Sequence, residues 1–477
     1  MASANDSSVV SSDVTNSGFR LDASAFLRGD TRRSIRSPSP TGQTLSEFAD
    51  VYTVYIQTPI LNYVVPFAQS RPYLTTSELG EYQRGEPSHV SLVTDPRLLD
   101  WEVKQNYIVL SRSGRVGEAY WIDRKLAGAL VGDSFRVVPG QSDEGFFLYS
   151  LLSSQYSKDY MTGVSYGSVV DHASVNHARM LPVPCVDRRS HANIIKRVKN
   201  ALAARENAYE LLDAAEAAIN RCCGLHDLRL INQIPFDPLG QPDCFDVRNS
   251  KVNAVNSVTS EYRLDAHFYN QTAQHAVDNI KKGRAGVKTV GKVSERVFFC
   301  NRFTRTYVDR EHGIPYLAGK NIVQIRPSDL AYLSKSQTEG LDQYRLQKGW
   351  ILLTCSGTIG RTCLVWQNYE EYVATHDLIR IVPNSEEVDG GYLYAFLSSE
   401  YGKAQILRFR HGSVIDHVTP EQVERVLIPC PSPKEQEVIG DMVREAYEKR
   451  AEAIRLEDEA QEILMNELTR THDTKGE

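Results

Sequence analysis

Residues 187–223 read DRRSHANIIKRVKNALAARENAYELLDAAEAAINRCC, 37 positions without a proline or a glycine. Ala, Leu, Glu and Arg dominate the run, and these residues lose least on entering a helix. At about 1.5 Å per residue the stretch predicts a rod on the order of 50 Å long. A second such run closes the sequence, from Ser432 to about Arg470. Everything else lies in two regions, one ahead of each rod.

Those two regions repeat each other. Arg20-Leu21-Asp22-Ala23 recurs as Arg263-Leu264-Asp265-Ala266, and Pro72-Tyr73-Leu74 as Pro315-Tyr316-Leu317, both 243 positions later. At the same offset Ile108–Gly117 (IVLSRSGRVG) matches Ile351–Gly360 (ILLTCSGTIG). The offset then settles at 245, where Tyr149–Ser154 matches Tyr394–Ser399, Gly167–His172 (GSVVDH) matches Gly412–His417 (GSVIDH), and Pro184-Cys185 matches Pro429-Cys430. The rods keep this register, pairing Ile194 with Ile439, Val198 with Val443, Leu211 with Leu456 and Ile219 with Leu464. Matches in one order with a drift of two positions are a tandem duplication.

The rod starts carry their own signals. Ser432-Pro433-Lys434-Glu435 reads as a capping box with proline at the first helical position, and Asp187 stands at the equivalent cap of the first copy. Thr419-Pro420-Glu421-Gln422 caps a shorter helix in the same way. On both rods the apolar residues recur at spacings of three and four with alanine between them, a seam for another helix at close approach. The economical solution packs the rods on each other, antiparallel, in a pseudo-twofold molecule. Two separate helices, each capping its own domain, remain the alternative at this point.

Composition bounds the class. A chain of 477 residues suffices for two or more domains, and 41% hydrophobic with 24% charged residues is ordinary for a globular protein. No apolar run approaches the roughly 18–20 residues of a membrane helix, and the N-terminus lacks an apolar signal core. The expectation is a cytoplasmic protein whose eight cysteines, none in a C-x-x-C pair, are reduced thiols without zinc. The net charge of −6 is local: from Pro433 to the end stand 7 Lys/Arg against 13 Asp/Glu, so the rest of the chain is neutral. The acidity of the final rod therefore says little about the repeats.

Within each repeat, short β-type runs (VYTVYIQTPI, YIVLSRSG, SFRVVP) are broken by turn formers, and Phe146–Tyr160 has helical spacing. The Ser-Gly-x-x-Gly segments at 113–117 and 356–360 follow apolar strands but lack the Lys-Ser/Thr of a phosphate loop, so they read as hairpin turns. Residues 28–45 read as a basic loop, matched by KKGRAGVK in the second copy. Catalytic signatures are missing, G-x-S-x-G and H-E-x-x-H among them. Ser168/Asp171/His172 and Ser413/Asp416/His417 imitate a hydrolytic triad. Triads draw their members from separated elements, and three within five residues suit a turn with a helix entry instead.

Taken together, the R-L-D-A start, the I-L-L-T-C-S-G-T-I-G hairpin, the H-D-L-I-R-I-V-P strand at 376–383, the G-S-V-I-D-H turn and the I-P-C-P-S-P-K-E-Q entry into a long helix resemble the specificity (S) subunit of type I restriction–modification enzymes. The resemblance runs over nearly the whole chain, twice. Copy one departs from it at Gly132-Asp133, where copy two has His376-Asp377, and at Asp187-Arg188-Arg189-Ser190, which replaces S-P-K-E.

The resemblance implies an α/β (α+β) architecture with two target-recognition domains at 17–186 and 260–431. Spacer helices would follow at 187–225 and 432–470, with a mobile arm at 1–16, a linker at 226–259 and a tail at 471–477. It further implies a non-catalytic reader of a bipartite, asymmetric double-stranded DNA site, which docks two methyltransferase subunits and through them restriction subunits. A similar subunit serving a solitary methyltransferase or another phage-defence complex is the alternative. No cofactor is expected in this chain; S-adenosylmethionine, and ATP with Mg, would sit on the partners, and no membrane is involved. A rigid spacer would set the half-site separation, one DNA turn being about 34 Å.

Base readers are usually Arg, Lys, Asn or Gln on loops. In copy two Asn301-Arg302-Phe303-Thr304-Arg305-Thr306-Tyr307 interleaves basic and aromatic residues and is the leading candidate, followed by Lys320, Thr358, Arg361, Arg410 and His411. Copy one offers Gln57 to Asn62, then Arg112, Arg115 and Tyr166. Arg20/Asp22 and Arg263/Asp265 read as internal ion pairs. The expected helix seam comprises Ile194, Val198, Leu211, Ile219, Ile439, Val443, Leu456 and Leu464.

Overall fold

The computed structural model describes residues 42–473 except 55–60, 62, 65–67, 83–86, 167–170, 227, 229–267, 269, 328, 337–340, 368 and 413. The N-terminal arm, the two R-L-D-A segments, most of the 28–45 loop, nearly all of the 226–259 linker and the serines of the triad-like clusters lie outside the described residues. The chain divides into two compact units: residues 1–80, 86–203 and 453–477, and residues 81–85 with 204–452.

Unit 1 holds two four-stranded sheets. One has the order β1-β8-β5-β6, from Ala49–Thr53 (β1), Ile108–Ser111 (β5), Ala119–Trp121 (β6) and Ser134–Pro139 (β8). The other is β2-β4-β3-β7, from Tyr63–Val64 (β2), Ser70–Leu74 (β3), Ser88–Ser91 (β4) and Leu130–Val131 (β7), with β7 parallel to β3. Ser142–Ser153 (α1) and Gln155–Val164 (α2) follow. The single helix expected over 146–160 is thus two, because Ser154 turns extended (ψ 158°) and its hydroxyl accepts from Ser157 N to cap the second.

Unit 2 repeats this topology. Ser294–Phe298 (β10), Ile351–Thr354 (β14), Thr362–Leu364 (β15) and Leu378–Pro383 (β17) order as β10-β17-β14-β15. Tyr307–Val308 (β11), Gly313–Leu317 (β12), Ala331–Ser334 (β13) and Val373–Ala374 (β16) order as β11-β13-β12-β16, with β16 parallel to β12. A further pair joins Gly286–Thr289 (β9) to Leu427–Cys430 (β18). The register is duplicated too: Ile108 faces Val137 and Ile351 faces Ile381. β5 and β14, the I-V-L-S and I-L-L-T runs, are buried at all four positions, as are the first four positions of β8 and β17, because each is a central strand covered on both sides.

Among the helices, two are long, Arg188–Cys223 (α3) and Pro433–Asp473 (α7). The division into units cuts both, between 203 and 204 and between 452 and 453. The caps form as the sequence implies. Asp187 Oδ1 accepts from Arg189 N and Ser190 N (2.8 and 3.2 Å), and Ser432 exchanges hydrogen bonds with Glu435. In unit 1 the start of α3 runs antiparallel to the end of α7: Ser190 Oγ donates to Glu467 (3.1 Å) and Arg197 Nε to Glu459 (3.0 Å). Ile194 and Val198 share that unit's core with Ala460 and Leu464, while Leu456 is half-buried. In unit 2, Ile219, Ile439 and Val443 belong to one core, and Leu211 packs beside Ala208, Tyr209 and Ala446. No helix among the described residues is long and apolar enough to cross a membrane.

Each unit buries one arginine within its sheets. Arg380 is 0% exposed and donates to the carbonyls of Ala374 (2.8 Å), Thr375 (3.1 Å) and Leu378 (2.7 Å). Arg136, 1% exposed, donates to Ser134 Oγ (2.5 Å), to Trp101 O (2.9 Å) and to Val131 O. Burial pulls both guanidinium groups below the ordinary arginine value, Arg136 to about 10. Apart from that of Trp101, these carbonyls belong to the segments where the chain passes from β7 to β8 and from β16 to β17, that is, from one sheet to the other.

Arg380→Ala is expected to destabilise unit 2 by roughly 3 kcal/mol or more, since each orphaned buried carbonyl costs about 1–3 kcal/mol. Exposed Arg455→Ala should stay within about 0.5 kcal/mol of wild type. Urea unfolding followed by tryptophan fluorescence compares them, and equal midpoints would refute a structural role for Arg380. Removing the cap by Ser432→Ala should cost about 1 kcal/mol in the same assay.

Candidate nucleic-acid interface

In unit 2 the segment between β10 and β11 lies over an aromatic bed. Phe303 stacks on Tyr344 (4.2 Å between centroids, 25°) and meets Tyr316 edge-on (6.4 Å). The Arg305 guanidinium stands 5.6 Å from the Tyr316 centroid and 6.0 Å from that of Phe303. Tyr307, 56% exposed, meets Tyr316 edge-on. Phe303 therefore anchors the segment, and Asn301, Arg302, Thr304 and Arg305 stay exposed. A cation held over rings keeps its charge available while its position is restricted.

His376 joins this neighbourhood from the β16–β17 passage. Burial lowers its pKa; Asp377, 3.3 Å away, opposes that shift, and Arg305 and Arg302 reinforce it. The lowered pKa favours the neutral imidazole, a donor and acceptor beside two cations. Lys320 is exposed on a one-turn helix, Gly319–Ile322.

A second feature forms at the hairpin tips. Gly357 (φ 69°) and Gly360 (φ 88°) make the reversal after β14, in a left-handed region that glycine enters at little cost, and leave Thr358 exposed. Ser356 Oγ lies 2.8 Å from His417 Nδ1, and Gly357 N donates to Asp416 O (3.2 Å). His411 and His417 exchange backbone hydrogen bonds of 3.0 and 2.7 Å, closing a turn whose Val414 and Ile415 are 93% and 53% exposed. Arg410 stands 3.7 Å from Asp416, and His411 is exposed.

Unit 1 builds the same corner. Ser113 Oγ is 2.7 Å from His172 Nδ1, Gly114 N donates to Asp171 O, and Tyr166 pairs with His172 through the backbone. Tyr166 is 47% exposed and edge-on to His177.

The candidates fall into two groups. Arg302, Arg305, Tyr307, Lys320, Thr358, His411, Tyr166 and Arg115 present at least part of their side chains to solvent, and Asn301 is exposed with them. Arg112 and Arg361 are engaged internally: Arg112 binds Asp133 (2.9 Å) and Ala173 O, and Arg361 forms an ion pair with Glu81 in which both side chains are less than one-fifth exposed. Of 57–62 only Leu61 is described. The histidines of the triad-like clusters bind serines of a distant hairpin, 59 and 61 residues away in sequence, and Asp171 and Asp416 reach the hairpin glycines through backbone carbonyls. These contacts staple a turn to a hairpin. The repeated S-G-x-x-G and D-H motifs were the available signal for that pairing. Among the described residues no group of three or more His, Cys, Asp or Glu is placed to hold a metal ion.

No curated protein matches the chain. Solved structures similar to it include the S subunit of a type I restriction–modification system from M. genitalium, at 13% identity over 89% of this chain and 94% of that one (TM-score 0.33). The HsdS subunit from Thermoanaerobacter tengcongensis is 13% identical over 90% and 97% (TM-score 0.28). Residues 307–457 match the family model of the type I restriction modification DNA specificity domain. They take in β11 to β18, the aromatic bed, the Ser356–His417 corner and the first part of α7. Over 307–457 this chain is thus similar to the type I restriction modification DNA specificity domain.

Proposed function

We propose that the chain is the sequence-specificity subunit of a type I restriction–modification complex. It reads a bipartite, asymmetric double-stranded DNA site with two target-recognition domains, residues 17–186 and 260–431. Helices within 187–225 and 432–470 dock the methyltransferase subunits, and restriction subunits join through them. Catalysis, with S-adenosylmethionine and with ATP and Mg, falls to those partners in the cytoplasm. The observation that carries this reading is the specificity-domain match at 307–457 inside an architecture whose two four-stranded sheets recur in the first half of the chain.

Surface chemistry supports a division of labour. Arg302 and Arg305 suit bidentate contacts to guanine, and Asn301 suits adenine. Lys320 and the Thr358 hydroxyl suit phosphates. In the first repeat, Arg115 and Tyr166 stand in the corresponding hairpin and turn. Because the repeats differ at these positions, the two half-sites differ.

Methylation mapping of host DNA with and without this gene, the methyltransferase partner present in both, should reveal one bipartite motif that disappears on deletion. Replacing residues 260–431 by those of a relative should then change one half of that motif and leave the other. An unchanged methylome in expressing cells would sink the proposal and favour a different defence complex, to be identified by its co-purifying subunits. On the mapped site, Arg305→Ala should weaken binding by about 1–3 kcal/mol and relax one base position. A uniform loss across all sequences would reassign Arg305 to the phosphates.

A further inference from the structure

Unit 2 contains a cavity of about 310 Å3 lined by Lys348, Trp350, Leu364, Trp366, Pro383 and Arg444, among others. The repeat tells what belongs there. In unit 1 the position equivalent to Gly391 is Phe146, whose ring stacks on Trp121 (5.3 Å, 23°), the counterpart of Leu364. Lys199, the counterpart of Arg444, places its ammonium 5.8 Å from the Phe146 centroid. Unit 1 thus fills this place with a ring of its own under a cation.

Unit 2 cannot do the same. A Cβ at Gly391 would meet Gly440 O at 2.7 Å and Gly440 Cα at 2.8 Å, so the backbones of the helix Gly390–Ser398 and of α7 exclude a side chain there. Leu364 is smaller than Trp121, and the space stays open. Two indoles stand where unit 1 has Tyr107 and Asp123: Trp350 and Trp366. The Lys348 ammonium lies 4.3 Å from the Trp366 centroid, and Lys348 is exposed at the rim.

We propose that this cavity receives one aromatic side chain of a protein partner, flanked in that partner by an acidic residue. The ring packs against Trp350, Trp366 and Pro383 as Phe146 packs on Trp121. The carboxylate reaches the Lys348 ammonium at the rim. A flat ring favours offset stacking on indole, and the cation at the rim selects the acidic neighbour. This inference stands apart from the DNA-reading surface and does not require it.

The test uses the full chain and two peptides, acetyl-Asp-Phe-Glu-amide and acetyl-Asp-Ala-Glu-amide, with tryptophan fluorescence as readout, two of the four tryptophans lining the cavity. The phenylalanine peptide should give saturable quenching and the alanine peptide none. Lys348→Glu, at an exposed position, should weaken the phenylalanine peptide about tenfold, as a lost charge pair of about 1.4 kcal/mol would. Leu364→Trp, restoring the ring of the first repeat, should abolish it. DNA binding should be unchanged in Lys348→Glu whether or not the chain proves to be a specificity subunit. No saturable quenching up to the solubility limit, equal binding of both peptides, or indifference to Lys348→Glu would each overturn the proposal.

Discussion

The structure of each unit depends on a buried guanidinium. A chain that leaves one sheet and enters another within a few residues has no ladder to satisfy the carbonyls at the passage, and burial makes each expensive. Arg380 gathers three of them, and Arg136 does the corresponding work with Val131, Trp101 and Ser134. The arrangement sacrifices much of the cation's solvation, which is why burial lowers both groups' pKa. It persists because replacing arginine would leave several orphaned acceptors at once. The same passage carries His376, so the device that joins the sheets also sets the neighbourhood of Arg302 and Arg305.

On this shared skeleton the two repeats are finished differently. Arg361 is spent on Glu81, whereas its counterpart in the first copy, Glu118, accepts from Tyr120. His376 of the second copy corresponds to Gly132, whose small size leaves room for the Trp101 ring: a Cβ there would meet that ring at 2.6 Å. Phe146 stacks on Trp121 in the first copy, whereas at Gly391 the backbone of α7 comes too close for a side chain. What is kept is what closes the fold, namely the buried arginine, the glycine turns and the Ser–His staple. What varies is how the spaces around these features are filled.

The Ser–His staples show how far local sequence reasoning reaches. D-H at 171–172 and 416–417 reads correctly as part of a turn. The serines bound to those histidines come from hairpins 59 and 61 residues away and were legible only as separate repeats. Arg136 and Arg380 were visible as a charge within strands otherwise buried, F-R-V-V-P and I-R-I-V-P, at matching positions. A buried cation in a central strand demands partners, but which carbonyls would provide them is a matter of tertiary arrangement.

By itself the sequence determined the duplication, the two long helices with their caps, the short strands and the glycine turns, because these follow from periodicity, propensity and spacing within a few residues. It also determined the kinship of the second repeat, through the order of individually weak motifs. The tertiary structure alone decided which arginines are exposed and which are spent internally, since Arg305 and Arg361 look alike in a sequence and differ only in what lies across from them. It alone decided that the chain switches sheets at 131–134 and 374–378, and that unit 2 keeps an open aromatic cavity. Such features depend on residues far apart in the chain meeting at distances of a few ångströms, and no local pattern encodes that.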